Sequence, residues 1–191
     1  MNIKTIIKSI AATALLTTAM SASAANYNID PEHSFVQFKV KHLGVSWLVA
    51  SFNDVSGTLA FDAEKPLDSA ISFKVDTNSL DTNHKVRDGH LSKKSVINNA
   101  DFPEATFESK SYDGTADGGV ITGILSINGE EKEVSLPVTK IGEGSDPWGG
   151  YRVGFEGKLN IDRRDFGSDE NYGPASWDVE LDVFVEAIKA K

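Results

Sequence analysis

Four histidines, His33, His42, His84 and His90, are the side chains best suited to acid–base chemistry near neutral pH. There is no cysteine, which excludes disulfides, thiolate metal sites and a thiol nucleophile. His84, Asp88 and His90, with Asp81 about one helical turn away, offer the imidazole and carboxylate ligands that suit zinc. Their spacing matches no familiar metal motif, so no metal centre is expected. His90 and Asp88 are also the candidate acid–base pair, if both reach one substrate atom. The plainer reading pairs Asp88 with Arg87 inside a capping segment. Arg87, Arg152, Arg163 and Arg164 carry guanidinium forks that fit a phosphate. For Arg164 an ion pair with a neighbouring aspartate is the favoured reading. There is no G-x-S-x-G elbow, since Gly142-Glu143-Gly144-Ser145 has the wrong spacing. Phosphate-binding loops, G-x-G-x-x-G and H-E-x-x-H are also absent, and no catalytic residue is assigned.

These side chains sit in a chain of 191 residues with a formal charge of -9, which argues against nucleic acid as a partner. The first 24 residues read as a cleaved signal peptide. Lys4 and Lys8 precede an apolar run from Ile10 to Met20, and Ala22-Ser23-Ala24 is an A-x-A cleavage site. Removing 24 of the 191 residues leaves 167; two lysines and no acids go with them, so -9 becomes -11. Both methionines leave as well. The expected organisation is a signal peptide, 1–24, and a single domain, 25–191, located in the periplasm.

The elements that must position the side chains are strands. Val36, Phe38 and Val40 alternate with Gln37, Lys39 and Lys41. Similar alternation covers Leu59–Phe61, Ile71–Val75, Ile121–Ile127, Val134–Val138, Val153–Ile161 and Trp177–Val185. Asn128-Gly129 between two such runs predicts a type I′ hairpin. The class is all-β with about eight antiparallel strands, in a barrel or a sandwich. Thr77 to Pro103 breaks the rhythm. Asp81, Thr82 and Asn83 are its N-cap candidates, and Lys85 to Leu91 is expected to make two helical turns over one mouth. Gly57, Gly123 and Gly157 share the inward parity; they either leave ligand space or mark bends where strands turn.

Several of these segments, in order, resemble the YceI family of exported lipid-binding proteins. They are His33-Ser34-x-Val36-x-Phe38-x-Val40-x-His42, Asp81-Thr82-Asn83-x-x-x-Arg87-Asp88-x-His90-Leu91, Phe102-Pro103-x-Ala105-Thr106-Phe107, Leu125-x-Ile127-Asn128-Gly129, Asp146-Pro147-Trp148-Gly149 and Arg163-x-Asp165-Phe166-Gly167. The resemblance implies an extended eight-stranded lipocalin-like barrel, with the short helix and loop covering one end. It also implies a long hydrophobic cavity holding a polyisoprenoid or similar amphiphile, such as a polyprenyl phosphate or a prenylated quinone, with no other cofactor. On that reading Val36, Phe38, Val40, Phe73, Phe107, Leu125, Phe155 and Leu181 line the cavity. His42, Trp47, Arg87, His90, Trp148 and Arg163 are the candidates for its mouth. The chain departs from the family pattern at Ser92, Ser95 and Val96, at Asp162, and at Ser168-Asp169-Glu170.

The resulting expectation is a non-catalytic lipid carrier linked to stress response, whose partners are a long-chain lipid and, transiently, a membrane. Homodimer formation through edge strands is left open. Two other readings stand beside it: an enzyme acting on a prenyl or acyl substrate through His90 and Asp88, and a stress protein that works through a partner interface.

Overall fold

The computed structural model describes residues 24–191, so the predicted signal peptide lies outside the described residues apart from its last position. Eight antiparallel strands close into a barrel: β1 (Ala25–Ile29), β4 (Val55–Phe61), β5 (Ala70–Asp76), β7 (Glu104–Thr115), β8 (Gly118–Ile127), β9 (Glu130–Ser145), β10 (Tyr151–Asp162) and β11 (Asp178–Lys189). Closure is made by β1 on β11, with Tyr27 opposite Lys189 and Ile29 opposite Ala187. In the closed ring each of those eight strands is paired on both sides over at least part of its length, β9 with β10 only from Val138 to Ser145.

One wall continues beyond the ring. β2 (Phe35–His42) follows β1 and pairs with the start of β11, Val40 opposite Val179. β3 (Ser46–Phe52) pairs with β2, and the two-residue β6 (Leu80–Asp81) pairs with β3. The exposed edge of this extension is therefore mostly Ser46–Ala50 of β3, because the two-residue β6 covers only Ser51 and Phe52.

Inside the ring, Val153 and Ala187 are almost wholly buried, with Val55, Phe61, Phe73 and Ile121 around them. A second cluster, Phe38, Ala50, Leu80 and Val179, packs against Leu91 and Ile97 and so joins the extended wall to the covering segment. Helix α1 spans Lys85–Leu91, where the sequence predicts it. Its N-cap is His84, not Asp81, Thr82 or Asn83: the His84 Nδ1 accepts from the Arg87 N–H at 3.3 Å. Asn83 instead takes a left-handed conformation (φ 60°) leading into the cap. The covering segment leaves and rejoins the barrel at one point, where the Thr77 N–H donates to the Pro103 carbonyl at 2.8 Å.

Four strands, β1, β3, β6 and β7, lie outside the runs that the period-two pattern marks, and β3 and β7 do so for identifiable reasons. In β7, Ser109 and Gly114 take inward positions that apolar residues usually fill, and a register shift between Ser109 and Ser111 reverses the parity. In β3, Trp47, Leu48, Val49 and Ala50 are apolar on both faces, so nothing alternates. Trp177 also falls outside its expected strand. It ends a 3-10 turn (Pro174–Ser176), and β11 begins one residue later.

The inward glycines have mixed roles. A Cβ on Gly57 (φ 152°) would lie 2.1 Å from the Ser72 carbonyl oxygen, so this glycine permits close approach of β4 to β5. A Cβ on Gly123 would lie 2.7 Å from the Phe107 ring, opposite the β7 irregularity. These two are strand-packing positions; of the three, only Gly157 borders the cavity described next.

Candidate functional site

The barrel encloses a cavity of about 990 Å³, at the upper end of ordinary small-molecule sites. Its walls come from the inward faces of the strands. Val36, Phe38 and Val40 of β2 face it, as do Phe73 of β5 and Phe107 of β7. Leu125 of β8, Phe155 of β10 and Leu181 of β11 complete the expected set of lining residues. Many inward side chains, Val40, Leu125, Leu136 and Leu181 among them, are only half-buried because they border open volume rather than one another. Deep in the barrel Phe61 meets Phe155 edge to face, with ring centroids 5.3 Å apart.

The strand directions fix which end opens. The β2–β3 hairpin tip, the covering segment 77–103, the Asn128-Gly129 turn and the 163–177 segment all lie at one end. There the lining residues Lys41, His42, Trp47, His90 and Tyr172 are exposed. Toward the other end the lining residues Leu59, Phe61 and Ile121 are buried.

Asn128 holds the mouth together. It and Gly129 have φ 53° and 77°, the type I′ geometry that Asn-Gly predicts. The Asn128 Nδ2 donates to the Val96 carbonyl at 2.9 Å and to the Phe166 carbonyl at 3.0 Å, tying the β8–β9 turn to both covering segments. A second tie joins those two segments directly. The Ser95 carbonyl accepts from the Asp169 and Glu170 N–H groups, and the Ser95 hydroxyl donates to the Glu170 carboxylate at 2.8 Å. Two of the stretches at which the chain departs from the family pattern thus bond to each other.

Of the six expected mouth residues, His42, Trp47, Arg87, His90 and Arg163 border the cavity. Trp148 does not. It lies on the β9–β10 turn (146–150), at the far end of strands whose length, at about 3.3 Å per residue, separates it from the mouth by roughly 40 Å. Trp148 is exposed there, 5.8 Å from the Arg152 guanidinium. Aspartate, proline and glycine around it mark a turn, and sequence alone does not say at which end of a barrel a turn falls.

The arginines separate in the same way. Arg164 pairs with Asp162, whose carboxyl is held down to about 2 chiefly by that contact. Arg152 lies at the far end and contacts three carboxylates: Asp30 at 2.5 Å, Glu186 at 2.5 Å and Asp146 at 2.9 Å. Arg87 and Arg163 border the cavity, and neither forms an ion pair with a carboxylate among the described residues. Arg87 donates through Nε to the Thr82 hydroxyl at 3.0 Å and through Nη2 to the Thr82 carbonyl at 2.5 Å. Arg163 donates to the Ser176 carbonyl at 2.8 Å, the Ser168 hydroxyl at 2.6 Å and the Glu170 carbonyl. Burial lowers the Arg163 pKa, yet a guanidinium stays charged at any ordinary pH. The mouth therefore presents two positive charges whose hydrogen-bond partners in the protein are neutral.

The candidate acid–base pair does not assemble. Asp88 accepts from the Thr82 N–H at 2.9 Å and from the Thr82 hydroxyl at 2.6 Å, and these contacts hold its carboxyl below the ordinary range. His90 lies two positions along α1, on a different face, and makes no hydrogen bond to Asp88. The pairing of Asp88 with Arg87 is also indirect, since both side chains converge on buried Thr82. The four side chains weighed as metal ligands are dispersed as well: His84 caps the helix, and Asp81 accepts from the Asn83 N–H at 2.7 Å. Among the described residues, Asp30, His33 and Glu186 come close enough to share a cation. Arg152 Nη1, 2.5 Å from both Asp30 and Glu186, already takes the place of that charge. Sequence spacing does not show this cluster, because its members come from β10, β11 and the β1–β2 connection.

A UPF0312 protein of Yersinia pestis (strain Pestoides F) is 48% identical over 180 residues, covering 93% of this chain and 94% of that protein. A UPF0312 protein of Yersinia enterocolitica serotype O:8 is 47% identical over the same length. Among solved structures, the YCEI protein of Campylobacter jejuni superposes with a TM-score of 0.70 at 27% identity, covering 80% of this chain and 91% of that one. BcnA of Burkholderia cenocepacia gives a TM-score of 0.72 at 23% identity (85% and 99% coverage), a likeness of fold. A domain from Saccharophagus degradans described as polyisoprenoid-binding gives 0.63 at 20% identity, covering 88% and 99%, again a likeness of fold. The family model for the YceI-like domain matches residues 27–187, nearly the whole described barrel, and the chain belongs to that family.

Proposed function

We propose that this protein is a lipid carrier that holds an isoprenoid-type amphiphile in its barrel and performs no chemistry on it. The observation that carries the reading is the 990 Å³ apolar cavity, with Arg87 and Arg163 bordering it and lacking carboxylate partners. Each 100 Å² of tail removed from water contributes about 2.5 kcal/mol, so a long tail offsets the entropic cost of association. The two guanidiniums complement a polar or anionic head such as a phosphate. The polyisoprenoid-binding description of the Saccharophagus domain of like fold supports the choice of lipid. The dispersal of His90 and Asp88 favours binding over catalysis.

The leader-like first 24 residues support export to the periplasm, where such a carrier would move or store lipid, with a link to stress response. Native mass spectrometry of the protein purified from its own host, followed by organic extraction, tests the reading. A stoichiometric prenyl lipid is the expected result. Protein that carries none, and refuses prenyl phosphates and quinones offered in detergent, overturns it.

A further inference from the structure

The β2–β3 hairpin carries apolar side chains where neither solvent nor turn chemistry favours them. Leu43 is 71% exposed and Val45 82% exposed at its tip, and Trp47 and Val49 are exposed on its outer face. The tip is a turn closed by the Val45 N–H on the His42 carbonyl at 3.1 Å, with φ 54° at Leu43 and 75° at Gly44. Positive φ at both central positions is type I′ geometry, whose first central residue is ordinarily asparagine, aspartate or glycine. Leucine there is disfavoured by its backbone conformation and by its exposure. A polar residue would serve the fold better.

The hairpin's own charge is one-sided. No aspartate or glutamate occurs from His33 to Asn53, in a chain with 28 acidic residues. Lys39 is paired with Glu180 and Asp182 of β11, but Lys41 nearer the tip has no ion pair among the described residues. Lys41 instead lies over the Trp47 ring, 4.1 Å from its centroid. The same hairpin forms part of the cavity rim: His42, Leu43 and Trp47 border the opening.

We infer that this hairpin docks the cavity mouth onto a bilayer carrying anionic lipid, with Leu43, Val45 and Trp47 entering the interface and Lys41 meeting its phosphates. Indole rings suit the boundary between headgroups and hydrocarbon, and a cation beside one adds attraction to an anionic surface. No helix among the described residues is long and apolar enough to cross a membrane. The inference rests on the carrier reading, because docking would let a water-insoluble tail pass from bilayer to cavity along an apolar rim.

The test uses the chain beginning at Ala25, which contains the whole described barrel. Sedimentation with vesicles of phosphatidylethanolamine and phosphatidylglycerol is compared with phosphatidylcholine alone. Uptake of a prenyl phosphate from detergent is measured in parallel. The doubly substituted Leu43→Asn, Val45→Ser protein should lose vesicle partitioning by about tenfold or more, since two exposed apolar groups are removed. It should melt no lower than the parent, because asparagine suits the turn; the single Val45→Ser change, away from the cavity lining, should weaken vesicle partitioning while leaving uptake from detergent at the parent's level. Lys41→Gln should lose the preference for phosphatidylglycerol. Docking is overturned if the parent ignores the anionic vesicles or if the doubly substituted protein binds them as well as the parent does. It is also overturned if the hairpin proves to mediate contact with a second copy, seen as a parent dimer that the substitutions dissolve. Uptake from detergent without vesicle binding removes docking and leaves the carrier reading intact. Hairpin-dependent vesicle binding without uptake does the reverse.

Discussion

The guanidinium of Arg163 stacks on the indole of Trp177, with its central carbon 4.2 Å from the ring centroid. The Arg163 N–H also donates to the Trp177 carbonyl at 3.0 Å, so the end of β10 and the approach to β11 are joined twice at the mouth. The remaining donors of this arginine satisfy acceptors in the 168–176 loop. Replacing it therefore removes both a charge beside the cavity and the organiser of one rim segment.

Arg163→Lys keeps the charge but cannot reproduce the planar fork or the stack. It should cost about 1–3 kcal/mol in denaturant unfolding, as part-buried acceptors lose their donor. The cost should exceed that of Arg164→Lys, because Arg164 pairs with Asp162 at the surface.

Asn128→Gly isolates the rim tie from the turn, since glycine keeps the positive φ. Loss of the two bonds to the Val96 and Phe166 carbonyls should cost about 1–2 kcal/mol. Hydrogen exchange should accelerate in both covering segments while the closed barrel keeps its protection.

Tail length should govern affinity until the cavity is filled. Calorimetry with prenyl alcohols of increasing length should show gains approaching about 0.8 kcal/mol per newly buried CH₂, then a plateau. Leu125→Trp, which projects into the cavity, should move the plateau to shorter chains without unfolding the protein. Affinity independent of tail length would contradict burial in the cavity.

Acid should destabilise the far-end cluster. Burial pushes the Asp30 carboxyl up, but its bonds to His33 and Arg152 outweigh this and hold it below 3.8. The Gly150 N–H and Arg152 lower Asp146 in the same cluster, and at the mouth Arg164 lowers Asp162 to about 2. Because these folded-state values lie below the unfolded ones, their contribution is complete above the unfolded value of 3.8. It is lost as pH falls through the lowered values. His33 is shifted the other way by its bond to Asp30. Its contribution is complete below 6.5 and is lost as pH rises through the raised value. Melting temperature against pH should therefore fall steeply below about pH 4 and weakly above about 6.5, and His33→Gln should remove the weaker limb.

Gly57→Ala should be severely destabilising, by about 2 kcal/mol or more, because a Cβ would strike the Ser72 backbone oxygen. Gly157→Ala should be milder. Its added carbon comes no closer than 3.1 Å, to a Leu136 methyl and a backbone oxygen. Parallel thermal melts distinguish the two.

The strands were legible in the sequence because a strand with one buried face alternates with a strict period of two. Val36–Phe38–Val40 and Val179–Leu181–Val183 declare their inward sides without any partner. Helix α1 and the Asn128-Gly129 turn were legible because their signals are local. The arrangement of the mouth was not, because it depends on which strand ends coincide in space. Trp148 and Arg163 sit in similarly turn-like sequence, yet β10 places them at opposite ends of the barrel. Thr82 gathers Arg87 and Asp88, and Arg152 gathers Asp30, Asp146 and Glu186, through contacts that sequence spacing does not encode. Sequence by itself determined seven of the strands, their inward faces and the apolar character of whatever they enclose, all properties of local periodicity. Closure of β1 on β11 decided that the inward faces surround one cavity, which end opens, and which charges border it, because those properties require residues distant in the chain to share one place.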